Sequence, residues 1–179
     1  MEIIIYLLNI AHLEVLRGVE MKQKKTNAMR ILDRQKTNYN VNTYEVTDQH
    51  MDGTEVANKV GIEDKFVYKT LVLENSNHDH FVFVIPVNAT LDMKAAAYAV
   101  NEKKLHLMPL DDLKKVTGYI RGGCSPIGMK RQFLTVIDQQ ATFLNSIYVS
   151  GGERGVQIEM AVDDLIDTTH AKVTEVIHN

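Results

Sequence analysis

The sequence predicts a mixed α/β (α+β) fold, a single compact domain with a curved, barrel-like mixed β-sheet flanked by helices. Three observations lead there. Short strand-like runs alternate with short helical stretches along the chain after Met21. The 179 residues are 45% hydrophobic and 24% charged, an ordinary globular balance for a length that supports one sizeable core. No repeat, linker or low-complexity tract divides the chain.

The elements follow in order. The opening run Ile3-Ile4-Ile5-Tyr6-Leu7-Leu8 lacks a basic region before it, is interrupted by Asn9, His12 and Glu14, and has no small-residue cleavage site after it. It is therefore not an export signal, and it is too short to span a bilayer. Residues 1–20 read as an extension ahead of a start at Met21, with an added amphipathic segment as the alternative, and residues 21–179 as the domain. Thr26-Asn27 offers an N-cap for a helix over Ala28 to Lys36. Val41 to Val46 alternates like a half-buried strand, and Asp52-Gly53-Thr54 opens a short helix ending at Gly61. Phe66 to Leu73 and His80 to Val87 read as a hairpin around the polar Glu74-Asn75-Ser76-Asn77. Asp92 to Val100 is helical, Leu105 to Met108 a short strand, and Pro109 stands at the first position of a helix ending near Gly118. Strands are predicted at Phe133–Ile137, Ile147–Ser150 and Val156–Met160, with short helical pieces at Gln139–Asn145 and Val162–Ile166.

The net charge of −3 gives no general affinity for nucleic acid, but the charge is uneven. From Ser150 onward two basic residues meet six acidic ones. Lys22, Lys24, Lys25, Arg30, Arg34 and Lys36 meet only Asp33, and Lys114 to Arg131 holds five basic residues and no acid. These patches are either a solvated surface or a phosphate-backbone contact; Lys24, Lys25, Arg30, Arg121, Lys130 and Arg131 are the candidates for the second reading. A single cysteine, Cys124, allows no internal disulfide and suits a reducing cytoplasm. The seven histidines show no zinc spacing, and His78 and His80, flanking an aspartate in a polar turn, are expected to face solvent. No metal and no cofactor are expected.

Three segments stand out chemically. Lys69 lies mid-strand among Phe66, Val67, Leu71 and Val72, where a charge is costly without a partner or a purpose. It is either an edge-strand lysine that deters aggregation or an ammonium held in a pocket for a phosphate or carbonyl. Thr117 to Gly128 packs four glycines and a proline into twelve residues, a loop able to aim N–H groups at an oxyanion; the spacing fits neither a P-loop nor a dinucleotide fingerprint. Ser150-Gly151-Gly152-Glu153-Arg154-Gly155 is either a plain hairpin turn or a second wall of the same pocket, with Ser150 donating a hydrogen bond. Cys124 and Ser125 lack a nucleophile elbow and a nearby histidine, so covalent catalysis is not favoured. No carboxylate falls in the strand or the glycine loop's catalytic stretch, so no general base for water is evident.

Together these segments resemble the YbaK/EbsC branch of the bacterial aminoacyl-tRNA editing domains. The resemblance runs through Lys25-Thr26-Asn27-Ala28, Val67-Tyr68-Lys69-Thr70-Leu71, Leu91-Asp92-Met93-Lys94, Lys103-Lys104, the loop Thr-Gly-Tyr-x-x-Gly-Gly-x-Ser-Pro-x-Gly, and Val149-Ser150-Gly151-Gly152, covering residues 25 to 178. It implies a fold like that of prolyl-tRNA synthetase editing domains. It also implies an enzyme that deacylates mischarged Cys-tRNA(Pro) in company with prolyl-tRNA synthetase, as a hydrolase, or as a lyase if the substrate's thiol attacks. Related editing of alanine or serine, and a non-catalytic regulatory role, are the alternatives. Carried over by position, the resemblance makes Lys69 and Gly122 catalytic, with Gly123 a second oxyanion donor. Tyr44, Thr70, Gly123, Ser125, Ser150 and Gly151 become substrate-binding. Where the family often has an aromatic residue, this chain has His50-Met51-Asp52.

Overall fold

The computed structural model describes residues 24–178, so the expectation for residues 1–20 lies outside them. Helix α1 (Asn27–Gln35) starts where Thr26 Oγ1 accepts the Met29 N–H at 3.2 Å, and it stops at a left-handed Lys36. Its inner face, Ala28, Met29 and Leu32, is buried. Strand β1 (Tyr39–Thr43) begins ahead of the alternating run, because its ladder with a later strand extends back to Tyr39↔Met160; it ends at Thr43↔Val156, where that partner begins. Helix α2 (Gly53–Val60) is fixed by a capping box: Asp52 accepts the Thr54 and Glu55 N–H groups while Glu55 accepts the N–H of Asp52.

Strands β2 (Tyr68–Glu74) and β3 (His80–Pro86) form the expected hairpin, followed by α3 (Met93–Ala99) capped by Asp92. Strand β4 (His106–Leu107) has only two residues. Pro109 precedes a 3₁₀ turn (Leu110–Asp112), which runs into α4 (Leu113–Thr117) and stops at Gly118 with φ 87°. Then come β5 (Leu134–Asp138), a 3₁₀ turn (Gln139–Phe143), β6 (Ser146–Ser150), β7 (Val156–Ala161), α5 (Val162–Thr169) and β8 (Lys172–Thr174). The sequence reading has no β8, since three residues are too few to show alternation.

Two sheets result. One has the order β1-β7-β6 and is antiparallel; the other, β4-β2-β3-β5-β8, is mixed, with parallel β3/β5 and β5/β8 pairs. Among the described residues one isolated bridge, Val67↔Tyr148, links them, and neither closes into the barrel-like sheet expected. Between them α1 (Leu32), β2 (Tyr68, Val72), β3 (Val82, Val84), β6 (Ile147, Val149) and β7 (Ile158, Met160) pack one core. On the far face of the larger sheet, Leu73, Phe83 and Ile85 pack against Ala96, Ala97 and Ala99 of α3. Among the described residues no helix is long and apolar enough to cross a membrane.

The hairpin corrects one expectation. His78 faces solvent, but His80 does not: its side chain is only 16% exposed, stacked edge-on against Phe133, with Nε2 3.2 Å from Glu74 Oε2. His78 Nδ1 and His106 Nε2 approach the same buried carboxylate at 3.3 and 3.0 Å. Burial would raise the Glu74 pKa, yet the His78 and His106 contacts bring it below the usual glutamate value.

Candidate active site

The short β4 determines where the site lies. It pairs with β2 only at Leu73↔Leu107 and Glu74↔His106, with one further bond from Met108 N–H to the Val72 carbonyl at 3.0 Å. Along one strand edge, hydrogen-bonding groups alternate in direction, so the main-chain groups of Thr70 point the same way as the Val72 carbonyl, toward an edge that β4 does not reach. A cavity of about 630 Å³ fills that gap. This explains why consecutive residues from Val67 to Val72 all line it. Its other walls are the entry to α2 (His50 to Thr54, and Val56), Val87, the residues Leu107, Met108, Leu110 and Leu113, the glycine loop (Arg121, Gly122, Cys124), and Tyr44, Ser150 and Gln157.

Lys69 is half-buried and its Nζ donates to the Val87 carbonyl at 3.2 Å. Burial holds its pKa below the ordinary lysine value, with the nearby Asp52 carboxylate opposing the shift. Gly122 has φ 82°, a left-handed conformation suited to glycine, and stands against the side chain of Arg154. Arg154 in turn donates from Nη2 to the Thr47 and Gln49 carbonyls at 3.1 and 3.4 Å. It thereby ties the segment before α2 to both glycine-rich turns. Cys124 also lines the cavity, its thiol pushed up to about 12 by burial and so uncharged at neutral pH.

Residues 47–168 match the family model of the aminoacyl-tRNA editing domain. A protein of Enterococcus faecalis, EbsC, named as a candidate Cys-tRNA(Pro)/Cys-tRNA(Cys) deacylase, is 42% identical over 154 residues, spanning 86% of this chain and 94% of that protein. The chain belongs to the aminoacyl-tRNA editing domain family, in its YbaK/EbsC branch. Among solved structures, a candidate trans-editing enzyme for prolyl-tRNA synthetase superposes with a TM-score of 0.74 at 19% identity, covering 88% of this chain and 100% of its own length. Another crystallised protein of no stated function gives 0.78 at 18% identity over 86% of this chain and 100% of its own. At these identities the two structures speak for the fold.

Within the editing domain, the cavity brings together Lys69, Gly122, Tyr44, Thr70 and Ser150, along with Arg121 from the basic set. It does not include Gly123, Ser125 or Gly151. The Gly123 N–H is committed to the Ile120 carbonyl at 3.0 Å, which removes it as an oxyanion donor. A Cβ there would lie 3.0 Å from the Glu153–Arg154 backbone, so this glycine lets the two turns touch. Ser125 is fully buried and its Oγ accepts the Ile127 N–H at 3.2 Å, a turn contact within the loop. Gly151 is buried against Val156, where a Cβ would come within 2.6 Å of Cγ1. Ser150 Oγ accepts the Gly152 N–H at 3.4 Å.

Of the remaining basic candidates, Lys24, Lys25, Arg30, Lys130 and Arg131 are exposed, and Lys25 is paired with Asp33. The two basic segments are neighbours, joined by Asn27 Nδ2 donating to the Gly128 carbonyl at 2.9 Å. Arg131 also lines a second cavity of about 180 Å³ beside Ile31 and Thr168.

Sequence reasoning missed Asp52 and Gln157. Asp52 does supply a carboxylate to the cavity, although Oδ1 is bonded to the Thr54 hydroxyl and to two α2 N–H groups, which holds it below the usual carboxylate range. Its capping-box pattern was readable, but its nearness to Lys69 was not. Gln157 sits in the middle of a predicted strand with nothing in its surroundings to mark it. Its Oε1 and the Thr70 Oγ1 are buried without a hydrogen-bond partner among the described residues. An orphaned buried polar atom costs about 1–3 kcal/mol.

Proposed function

We propose that this chain acts in trans as a quality-control deacylase, removing cysteine from mischarged Cys-tRNA(Pro). The observation that carries the reading is Lys69, a half-buried ammonium bonded to a main-chain carbonyl rather than to a carboxylate, on the wall of the cavity that Gly122 also lines. Such a charge is available to an incoming ester carbonyl or terminal phosphate. The name of the 42% identical relative supports cysteine as the amino acid removed. A volume of about 630 Å³ exceeds a cysteinyl group alone and leaves room for part of the terminal nucleotide.

In this reading Lys69 holds the ester, and the Gly122 N–H meets the oxyanion that develops on its carbonyl. Tyr44, Thr70 and Ser150 orient the acyl group. Asp52 is a poor base for water, because its hydrogen bonds favour the ionised form. The substrate's thiol fills the gap. Its sulfur attacks the carbonyl carbon, the bond from that carbon to the ribose oxygen breaks, and the released hydroxyl takes up the proton the thiol loses. Cysteine leaves as a thiolactone that water opens. This is lyase-like chemistry; direct attack by water would make the enzyme a hydrolase. Lys24, Arg30, Arg121, Lys130 and Arg131 provide backbone contacts to the tRNA, and prolyl-tRNA synthetase supplies tRNA selectivity as a transient partner.

Deacylation of Cys-, Ala- and Ser-tRNA(Pro), with and without prolyl-tRNA synthetase, tests the reading. Cysteine is expected to be released fastest. Equal rates on all three exclude thiol assistance, preference for alanine or serine moves the chain to a related editing class, and binding without turnover makes it a regulatory binder.

A further inference from the structure

Between β1 and α2 the chain runs without a helix or strand, and it brings the exposed His50 to the cavity wall. The two sides of His50 are fastened independently. Before it, the Gln49 carbonyl accepts from Arg154 Nη2 at 3.4 Å. After it, Asp52 Oδ1 accepts the Thr54 and Glu55 N–H groups, each at 2.9 Å. Gly53 then packs so closely on Val87 that a Cβ there would stand 2.4 Å from Cγ1. Val87 also supplies the carbonyl that holds Lys69 Nζ, so this contact sets the His50 segment and Lys69 on one stretch of the cavity. The Asp52 carboxylate lies near enough to interact with both His50 and Lys69.

Deacylation has a proton to move: the attacking thiol loses one and the departing ribose oxygen needs one. Several of the cavity's other side chains are unsuited to carry it. Hydrogen bonds favour the ionised form of Asp52, burial keeps Cys124 and Tyr68 protonated, and the cations of Lys69 and Arg121 can only donate. An imidazole both takes and gives a proton near neutral pH. We propose that His50 is a further catalytic residue, the proton carrier between the attacking thiol and the ribose oxygen. This rests on the deacylase reading and supplies the acid–base group that reading lacks. An imidazole nitrogen takes the thiol proton as the sulfur bonds to the carbonyl carbon. The bond from that carbon to the ribose oxygen then breaks, and the imidazolium gives the proton to that oxygen. Nothing is oxidised or reduced, and the ring ends as it began. While the imidazolium exists, the neighbouring Asp52 carboxylate favours it as an opposite charge.

The experiment measures cysteinyl-tRNA(Pro) deacylation by two variants. His50→Phe keeps a flat ring and lacks both nitrogens, whereas His50→Gln keeps hydrogen bonding and lacks the basic site. Each is expected to lose about 100-fold in kcat, with KM within about threefold of the wild type. Because His50 is exposed, both should unfold at the wild-type urea midpoint. Added imidazole should raise the rate of His50→Ala by about tenfold or more and leave Lys69→Ala unchanged. Wild-type kcat in His50→Phe would show that the ring only walls the cavity. That result, or a loss in His50→Ala that imidazole does not repair, overturns the assignment while the deacylase reading stands. If the wild type does not deacylate cysteinyl-tRNA(Pro) at all, both fall.

Discussion

Lys69 and Cys124 line the same cavity, and burial keeps each closer to neutrality in opposite ways: it disfavours the lysine's proton and retains the cysteine's. Replacing Lys69 by Ala is expected to lower kcat/KM by about 100-fold or more, with the circular dichroism spectrum and unfolding midpoint little changed. A folded Lys69→Ala protein with wild-type rates would remove the residue from the site. Because its folded pKa is depressed, the charged lysine opposes folding below that value, and stability from this group rises with pH between the folded and unfolded pKa values. Activity runs the other way, with an alkaline limb that starts below the ordinary lysine value of 10.5 and moves upward in Lys69→Arg. Cys124, with its thiol near 12, should resist alkylation by iodoacetamide at pH 7 in the folded protein, and Cys124→Ala should keep activity within a few-fold. Rapid labelling with loss of activity would instead make this thiol a working group.

At the level of elements, the site depends on how β4 is tied down. Glu74 is buried between His78, His80 and His106, and the last of these belongs to β4, directly before Leu107 and Met108, which line the cavity. Replacing Glu74 by Gln should cost about 1–3 kcal/mol and raise KM more than it lowers kcat, as measured by urea unfolding and steady-state kinetics. The carboxylate's lowered pKa means its contribution is present above the unfolded value near 4.5 and is lost as pH falls through the folded value. Glu74→Gln should therefore show a shallower decline in stability on acidification than the wild type; equal slopes would show that the histidine contacts do not matter energetically. Gly123→Ala makes a complementary test. Its new Cβ meets the Glu153–Arg154 backbone at 3.0 Å, so it should reduce activity by separating the two turns although position 123 does not line the cavity.

Across the whole molecule, most of the architecture was readable from the sequence because caps and alternation are local signals. Thr26, Asp52, Gly61 and Gly118 mark helix ends by their own chemistry, and the β2–β3 hairpin shows as two largely apolar β-rich runs on either side of a polar turn. What escaped depends on distant neighbours: β8 forms only because β5 offers a parallel edge, His80 is buried only because Phe133 and Glu74 meet it, and Gln157 becomes conspicuous only opposite a cavity. Lys69, Gly122, Tyr44, Thr70 and Ser150 converge, whereas Ser125 and Gly151 turn inward for reasons of packing that spacing does not reveal. The joining of the two basic segments through Asn27 and Gly128 leads to a further expectation. Charge reversal at Lys24, Arg30 or Arg131 should weaken tRNA binding regardless of the attached amino acid. It should also flatten the salt dependence by about one unit of slope for each phosphate no longer neutralised, measured by filter binding over a salt series. The two-residue β4 has a last consequence, for solubility. A main-chain row left unmatched at a sheet margin invites a strand from another molecule, and here the α2 entrance and the glycine loop are among the walls beside it. Changes that loosen that cover would promote self-association even where the fold survives, so the gap that opens the cavity is also a route to aggregation.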